Sequence, residues 1–594
     1  MKKRIKKCID KIWRSDILLA VAINSIFLIS ILLFCDIKYE VSDDFVMSAI
    51  MSGAYGDKPN PHLIFINILW GYLLQPFYYI LPQISWYLIF QLALCFFSLT
   101  MISYMMLQKL DRVMAIMVIV LLVTAFGSDA YILVQFTKTA ILAVMGGGIV
   151  FVWSLFEKRP LKLQLLTGTL CLLGTWIRFD VIYIAGGFLL LILVIEFFRL
   201  FRSNRNIKKH IIRIICSGGI LLVVVVGCKL WDIHAYNKDS DYKFFREYSQ
   251  ARGDIVDASD YGYEAYEEQL RKIDVSENDY LMMRKWNFAD NQFFSLERMK
   301  KTAQIIADYK RTVELSKEAL LEQIQTRGIQ GYPICIACIV LTVLGITIQK
   351  NKYGIRLSVW IVGFIYIIYF FYIERVVYRI EYAIFLASFC CILYFFEEYK
   401  GKSKEDVYVF NYRYGIIILL CLILQCVLYL PDRSYQEIDE QSRKEYIETF
   451  FYKSWNYNPC NYRKVANKGA KSIGILNEIE QHKDKLYLLD FQTTMQVLYY
   501  EWNPFNALPK GAFNNMLYFA GITTNFPECN QILRNYKAEQ PLKALVQENV
   551  YLVDSDERTL DQKVKYLQEH YYPKARAEIY KEIDGYQIWK LYKE

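Results

Sequence analysis

Apolar and polar positions in this chain separate into long blocks rather than alternating finely. Apolar runs occupy residues 17–34, 63–81, 86–107, 113–126, 132–156, 163–177, 181–198 and 214–231, and again 332–348, 357–372, 383–396 and 416–430. A hydrocarbon layer about 30 Å thick takes about 20 helical residues to cross. The runs therefore predict a mainly α, polytopic helical membrane bundle. Two stretches break the pattern, one charged and Tyr-rich at about 232–330 and one of mixed character at about 432–594. Helical spacing recurs in the first around 264–273 and 294–318. In the second, 485–490, 550–554 and 586–591 read as strands and 561–570 as a helix, the mixture expected of a small α/β or α+β domain.

Seven basic residues lie within the first fourteen, before the first run. That run carries no small-residue cleavage site, and Phe34 before Cys35 spoils a lipoprotein-type box, so it reads as a retained helix with its amino terminus inside. The net charge of +9 then acquires a direction, because Lys and Arg collect in cytoplasmic loops. If 63–81 stays at the outer face, eighteen basic residues in the loops around 109–112, 158–162, 199–213, 350–356 and 400–413 fall inside. Only three, Arg178, Arg375 and Arg379, then fall in the short outer loops; if 63–81 crosses, the ratio inverts. The stretch, interrupted by Gly71 and Pro76, is thus expected to be an interfacial or re-entrant helix. About eleven transmembrane helices remain, with the carboxyl terminus outside. The expected domains are 1–431, a membrane part with outer loops 36–85 and 232–330, and 432–594, an extracytoplasmic part.

With 55% hydrophobic residues in such blocks, a nucleic-acid reader and a disordered chain are excluded. The 14 cysteines lie mostly in apolar runs, and Cys335 and Cys338 have no His or acidic companions, so buried thiols are expected there rather than zinc. Cys460 and Cys529 fall in the aqueous stretch, and the sequence leaves their pairing open.

The polar groups that this topology collects at the outer face are the candidate chemistry. Ser42-Asp43-Asp44-Phe45 follows the first span. One of two adjacent carboxylates at a bilayer surface can take a proton from an attacking hydroxyl while the other orients it or a divalent cation, and the same residues could equally cap a helix. Arg178 and Asp180 share one outer turn, Glu374, Arg375, Arg379 and Glu381 another, and Lys138 lies near the outer end of its span. They describe either a pocket for an anionic lipid-linked substrate or ion pairs that hold helix ends together. His62, Asp57 and Trp86 are weaker signals, more in keeping with structural roles. Gly146-Gly147-Gly148, inside a span, reads as close helix packing; no phosphate-cradling Gly loop, nucleophile elbow or HExxH motif is present.

A first helix with its amino terminus inside, the acidic motif at Asp43 and Asp44, the element Pro59-Asn60-Pro61-His62 leading into a juxtamembrane helix, and a soluble outer tail together resemble the GT-C superfamily of membrane glycosyltransferases, which use polyprenyl-phosphate sugars. The resemblance covers roughly residues 15–430. It departs from the family in the order of the Pro/His element and in lacking a counterpart of the aqueous-domain motif of oligosaccharyltransferases, which argues against protein N-glycosylation. The resemblance implies inverting transfer of a sugar from a polyprenyl-phosphate donor to a glycan or lipid-linked acceptor, at the outer face of a bacterial plasma membrane, with membrane lipids and no nucleic acid as partners. In that scheme Asp43 or Asp44 is the catalytic base. Lys138, Arg178, Arg375, Arg379 and His62 hold the lipid phosphate and substrate, with Asp180, Glu374 and Glu381 in support. A divalent cation, Mg or Mn, could share Asp43 and Asp44, although no ligand set demands one. Two other readings stay open: a polysaccharide or lipid-carrier exporter, whose charges would line a path across the membrane, and a non-catalytic envelope-assembly scaffold.

Overall fold

The computed structural model describes residues 11–35, 37–202, 207–313, 331–349, 352–397, 473–494, 503–519, 521–554, 557–583 and 585–594, with short pieces between 320 and 329. The span expected at 416–430, Cys460, and the boundary at 431/432 lie outside the described residues.

The amino-terminal part is built from helices α1 (Asp16–Phe34), α2 (Ser42–Ser52), α3 (Ile68–Ile80), α4 (Trp86–Lys109), α5 (Arg112–Ile132), α6 (Phe136–Phe156), α7 (Leu161–Ile177), α8 (Val181–Arg202) and α9 (Ile207–Lys238). The long loop follows with α10 (Ser240–Val256), α11 (Glu277–Arg284) and α12 (Leu296–Thr312), and then come α13 (Tyr332–Ile348), α14 (Tyr353–Tyr372) and α15 (Tyr378–Tyr394). Seven of the described helices, α1, α4, α5, α6, α8, α9 and α14, are long and apolar enough to cross a membrane. The helices α7, α13 and α15 are apolar but only 17 residues each.

Helix α6 is the central one, buried along its whole length apart from Thr137. Its glycines admit α7: a Cβ on Gly147 would stand 2.6 Å from the Thr167 carbonyl oxygen and 2.8 Å from Cys171 Sγ. The closeness supplies van der Waals contact where no hydrophobic driving force between helices exists. On α9, by contrast, Ile212, Ile215, Ile220, Leu222, Val223 and Leu230 are all exposed, the surface of a helix meant for lipid.

The stretch 63–81 forms only the 13-residue α3, about 20 Å at 1.5 Å per residue and too short to cross. Asn67 caps it through Leu69 N at 3.0 Å, and Asp232 on α9 accepts Ile68 N at 2.9 Å. Gly71 does more than weaken the helix. A Cβ there would lie 2.2 Å from the Pro61 carbonyl oxygen, so glycine is what lets α3 lie directly on the Pro59-to-His62 segment.

The described basic residues of the loops around 109–112, 158–162, 199–213 and 352–356 gather at one end of the bundle, and the loop at 400–413 lies outside the described residues. Arg112 pairs with Asp16 at 3.2 Å, Arg159 donates to Gln108 at 3.1 Å, Arg213 donates to the Arg159 carbonyl at 2.9 Å, and Lys352 pairs with Glu397. At the other end a short parallel pair, β1 (Lys38–Tyr39) and β2 (Leu133–Val134), ties the residues after α1 to those before α6.

The tail contributes a five-stranded sheet of β3 (Leu486–Leu489), β4 (Met516–Tyr518), β5 (Val550–Val553), β6 (Arg576–Ile583) and β7 (Tyr586–Tyr592) in the order β4-β3-β5-β7-β6. The first three are parallel, and β7 joins β5 antiparallel and pairs with β6. Helix α16 (Ile473–Gln481) precedes β3, α17 (Pro527–Asn535) lies between β4 and β5, and α18 (Glu557–His570) lies between β5 and β6. The tail docks on the loop between α1 and α4 through backbone hydrogen bonds from Gly511 N to Gly53 O (3.0 Å), Phe513 N to Ala54 O (2.9 Å) and Ser85 N to Phe505 O (2.9 Å). Leu542 N reaches the long loop at Ala289 O, 3.2 Å.

Candidate active site

Helix α2 starts at the acidic pair, and its N-cap, Val41, has no side chain that can cap it; neither Ser42 nor the carboxylates take that job. A carboxylate in the first turn favours the helix dipole when it is ionised. One residue advances the helix by about 100°, so the two acids point differently. Asp44 faces inward with no exposure and accepts from Tyr87 Oη (2.8 Å), Gln91 Nε2 (3.2 Å) and Phe136 N (3.3 Å). Burial pushes its pKa up to about 8 despite those donors. At neutral pH it is mostly a carboxylic acid, and it pins α2 to α4 and to the start of α6.

Asp43 is partly exposed and makes no hydrogen bond or ion pair among the described residues. Burial raises its pKa, while the nearby charges of Arg379, Arg252 and Arg178 oppose the rise and Asp257 adds to it. A carboxylate raised by its surroundings but still facing cations has the character wanted of a general base.

Three of the expected cations divide their roles. Arg178 pairs with the exposed Asp180 at 3.1 Å and lies over the rings of Phe136 (5.3 Å) and Phe65 (6.0 Å), within the electrostatic reach of Asp43. Arg379 makes no hydrogen bond or ion pair among the described residues and acts on the same carboxylate. Arg375 is half exposed and held by Asp257 at 2.6 Å.

Lys138 sits elsewhere. In place of the lipid-phosphate contact expected of it, its ammonium is fully buried between Glu40 at 2.5 Å and Asp129 at 3.0 Å, with Tyr378 Oη also donating to Asp129 at 3.1 Å. The cause is local: the π-helical turn Val123–Gly127 in α5 precedes Asp129, and β1 delivers Glu40 beside it. Nor do the supporting acids meet at Asp43. Glu374 is close to Lys310 of α12 (3.7 Å), and the buried Glu381 accepts the backbone N–H of Gly331 at 2.5 Å, at the head of α13.

His62 belongs to a junction of the first loop, the long loop and the tail. Its ring stacks on Tyr242 of α10 with centroids 3.7 Å apart, its Nδ1 is 3.0 Å from Asn60 Oδ1, and burial lowers its pKa to about 4, so it is neutral at pH 7. Tyr242 Oη donates to Glu528 of α17 at 2.6 Å, joining first loop, long loop and tail. Beside this junction an open polar cavity of about 690 Å³ lies between Tyr55 and Asp57 of the first loop and Lys483, Asn514, Gln531 and Asn535 of the tail.

Two residues near Asp43 escaped the sequence reading. Tyr518 ends β4 and comes within reach of Asp43 and Arg252; its ring covers Gly521 so closely that a Cβ there would be 2.5 Å away. Nothing in the local sequence marks it. Arg252 did leave a signal, because it falls on the buried stripe of α10 formed by Tyr242, Phe245, Tyr248 and Ile255, where an arginine is out of place.

For a metal, Asp43 and Asp44 do not offer a shared pair, since both Asp44 oxygens already accept. One group of three potential ligands occurs among the described residues, Asp279, Glu569 and His570, where α11 meets α18. Asp279 is used there as a capping-box acid and as the partner of His570 at 2.8 Å. No family model, curated protein or solved structure matches this chain.

Proposed function

We propose that the protein is a multi-pass membrane glycosyltransferase that moves a sugar from a polyprenyl-phosphate donor to a glycan or lipid-linked acceptor at the outer face of a bacterial plasma membrane. One observation carries this: Asp43, a carboxylate without a hydrogen-bond or ion-pair partner among the described residues, faces Arg178 and Arg379 at the end of the bundle where the first loop, long loop and tail converge. In the proposed reaction Asp43 accepts the proton of the acceptor hydroxyl, whose oxygen attacks the anomeric carbon with inversion. The bond from that carbon to the phosphate oxygen breaks, and the electron pair leaves with the polyprenyl phosphate. Arg178 and Arg379 offset the charge that develops on it, the kind of preorganised electrostatic help that is usually the largest catalytic effect. Asp44 and the Glu40–Lys138–Asp129 group hold the site's framework. The polar cavity between first loop and tail has the amide and carboxylate lining that suits the hydroxyls of an acceptor glycan.

The proposed topology has eleven spans, a cytoplasmic amino terminus, α3 at the outer interface, and residues 432–594 as an extracytoplasmic domain. The reaction is tested with membranes carrying Asp43→Asn or Asp44→Asn and radiolabelled polyprenyl-phosphate sugars. Asp43→Asn should lose transfer by about 100-fold or more, the usual scale of general-base catalysis, while Asp44→Asn, isosteric with the neutral acid, should retain most of it. Unchanged transfer by Asp43→Asn removes the base assignment, and no transfer by wild type with any donor favours the exporter or scaffold.

A further inference from the structure

Arg252 presents a physical problem that the rest of the fold does not solve. It is 3% exposed, and its Nε and Nη1 atoms are buried without a hydrogen-bond partner. Its guanidinium lies over the Trp286 ring at 5.2 Å and makes no hydrogen bond or ion pair among the described residues. The carboxylates whose charge it feels are Asp43 and Asp257, and Asp257 is taken by Arg375 at 2.6 Å. Arginine stays charged under all ordinary conditions, and a buried charge without a counter-ion is costly. Arg178 and Arg379 add two more guanidiniums around the single free carboxylate of Asp43. Arg178 already has Asp180 at 3.1 Å, as Arg375 has Asp257, so Arg252 and Arg379 against the carboxylate of Asp43 leave a net positive charge at the site, which suits an anion.

We propose that Arg252 is the buried counter-charge for a phosphate dianion, and that its cost to the empty protein is repaid when a polyprenyl monophosphate binds. This rests on the transfer reaction above only for the identity of the ligand, since the leaving group of that reaction is such a monophosphate. Supplied by α10, Arg252 makes the long loop part of the phosphate site. It binds the departing dianion better than the singly charged donor diester, so it favours bond cleavage.

The test uses the purified full-length protein in detergent, with thermal unfolding followed for wild type, Arg252→Gln, Arg252→Lys and the surface control Lys300→Gln. Farnesyl phosphate, a short polyprenyl monophosphate, is the probe; farnesol and inorganic phosphate are the comparison arms. Wild type and Lys300→Gln should be stabilised by farnesyl phosphate and not by farnesol. Arg252→Gln should melt at or above the wild-type temperature without ligand, because an uncompensated charge is gone, and should bind farnesyl phosphate at least tenfold more weakly; Arg252→Lys should fall between. A merely structural arginine gives the opposite first result, an Arg252→Gln protein that melts well below wild type, and that outcome overturns the proposal. So does wild-type affinity in Arg252→Gln, or no response of wild type to farnesyl phosphate. An Arg252-dependent response of equal size to inorganic phosphate upholds the anion site and assigns it to free phosphate instead of the lipid. If the site behaves as proposed but wild type transfers no sugar, the glycosyltransferase reading fails and the anion site stands; if transfer occurs and Arg252→Gln binds normally, the reverse holds.

Discussion

Lys138→Met separates a structural lysine from a phosphate ligand. The wild-type ammonium lies between Glu40 at 2.5 Å and Asp129 at 3.0 Å, and the three side chains are at most 3% exposed. Methionine matches the length of the stem, so little packing is lost, but two buried carboxylates are left facing each other without a cation. Breaking a buried ion pair by removing one partner costs about 3–5 kcal/mol, and here one cation serves two partners, which puts the expectation at the upper end of that range. The melting temperature of the purified protein should drop by several degrees and its yield in membranes should fall. The triple variant Glu40→Gln/Lys138→Met/Asp129→Asn should recover most of the loss, since the three changes act on one network and are not additive. A Lys138→Met protein that melts with wild type and loses only its affinity for farnesyl phosphate would falsify this reasoning and return Lys138 to the lipid phosphate.

Other expectations follow from the same geometry. The Asp44 carboxyl titrates near 8 in the fold against an ordinary value of 3.8, so the folded state holds a proton that the unfolded chain has released between those limits. The stability from that proton is complete below about pH 4 and is lost as pH rises to 8, by up to about 1.4 kcal/mol per unit; Asp44→Asn should flatten this part of the stability–pH curve, and an unchanged slope refutes the assignment. Gly71→Ala places a Cβ 2.2 Å from the Pro61 carbonyl oxygen, so α3 must move off the first loop. That overpacking should cost about 1–3 kcal/mol in thermal unfolding and reduce transfer as well; wild-type behaviour in both would mean α3 does not lie on that segment. On topology, a cysteine replacing Lys158 should resist a membrane-impermeant maleimide in intact cells while one replacing Asp57 reacts, and labelling at 158 inverts the sidedness.

Much of the fold could be read in the chain because membrane burial writes itself as length and apolarity. Among the described residues, the apolar runs expected to cross were legible as helices within a few residues, and seven of those helices are long and apolar enough to do so. The stretch 63–81 forms a helix of only 13 residues that runs through both Gly71 and Pro76, the residues expected to interrupt it, and in the tail 486–489, 550–553 and 586–592 were legible by their apolar strand character. The edge strand β6, largely exposed and rich in charge, had no such signature and was missed. Likewise α10 went unmarked, and with it Arg252.

The sequence by itself determined that the chain carries helices long and apolar enough to cross a membrane, separated by loops that are basic or that hold acids and arginines. These are consequences of solvent preference, which each segment expresses alone. Only the tertiary structure decided what the charges do there. Asp43 and Asp44 are neighbours in sequence, but the rotation of about 100° between successive helical residues sends one into a nest of three donors and leaves the other open to Arg178 and Arg379. Lys138 looked like a cation at the bilayer surface until β1 and the π-helical turn of α5 brought Glu40 and Asp129 to it. Whether a charge is a ligand or a strut depends on which counter-charge reaches it first, and that is set by contacts between segments far apart in the chain.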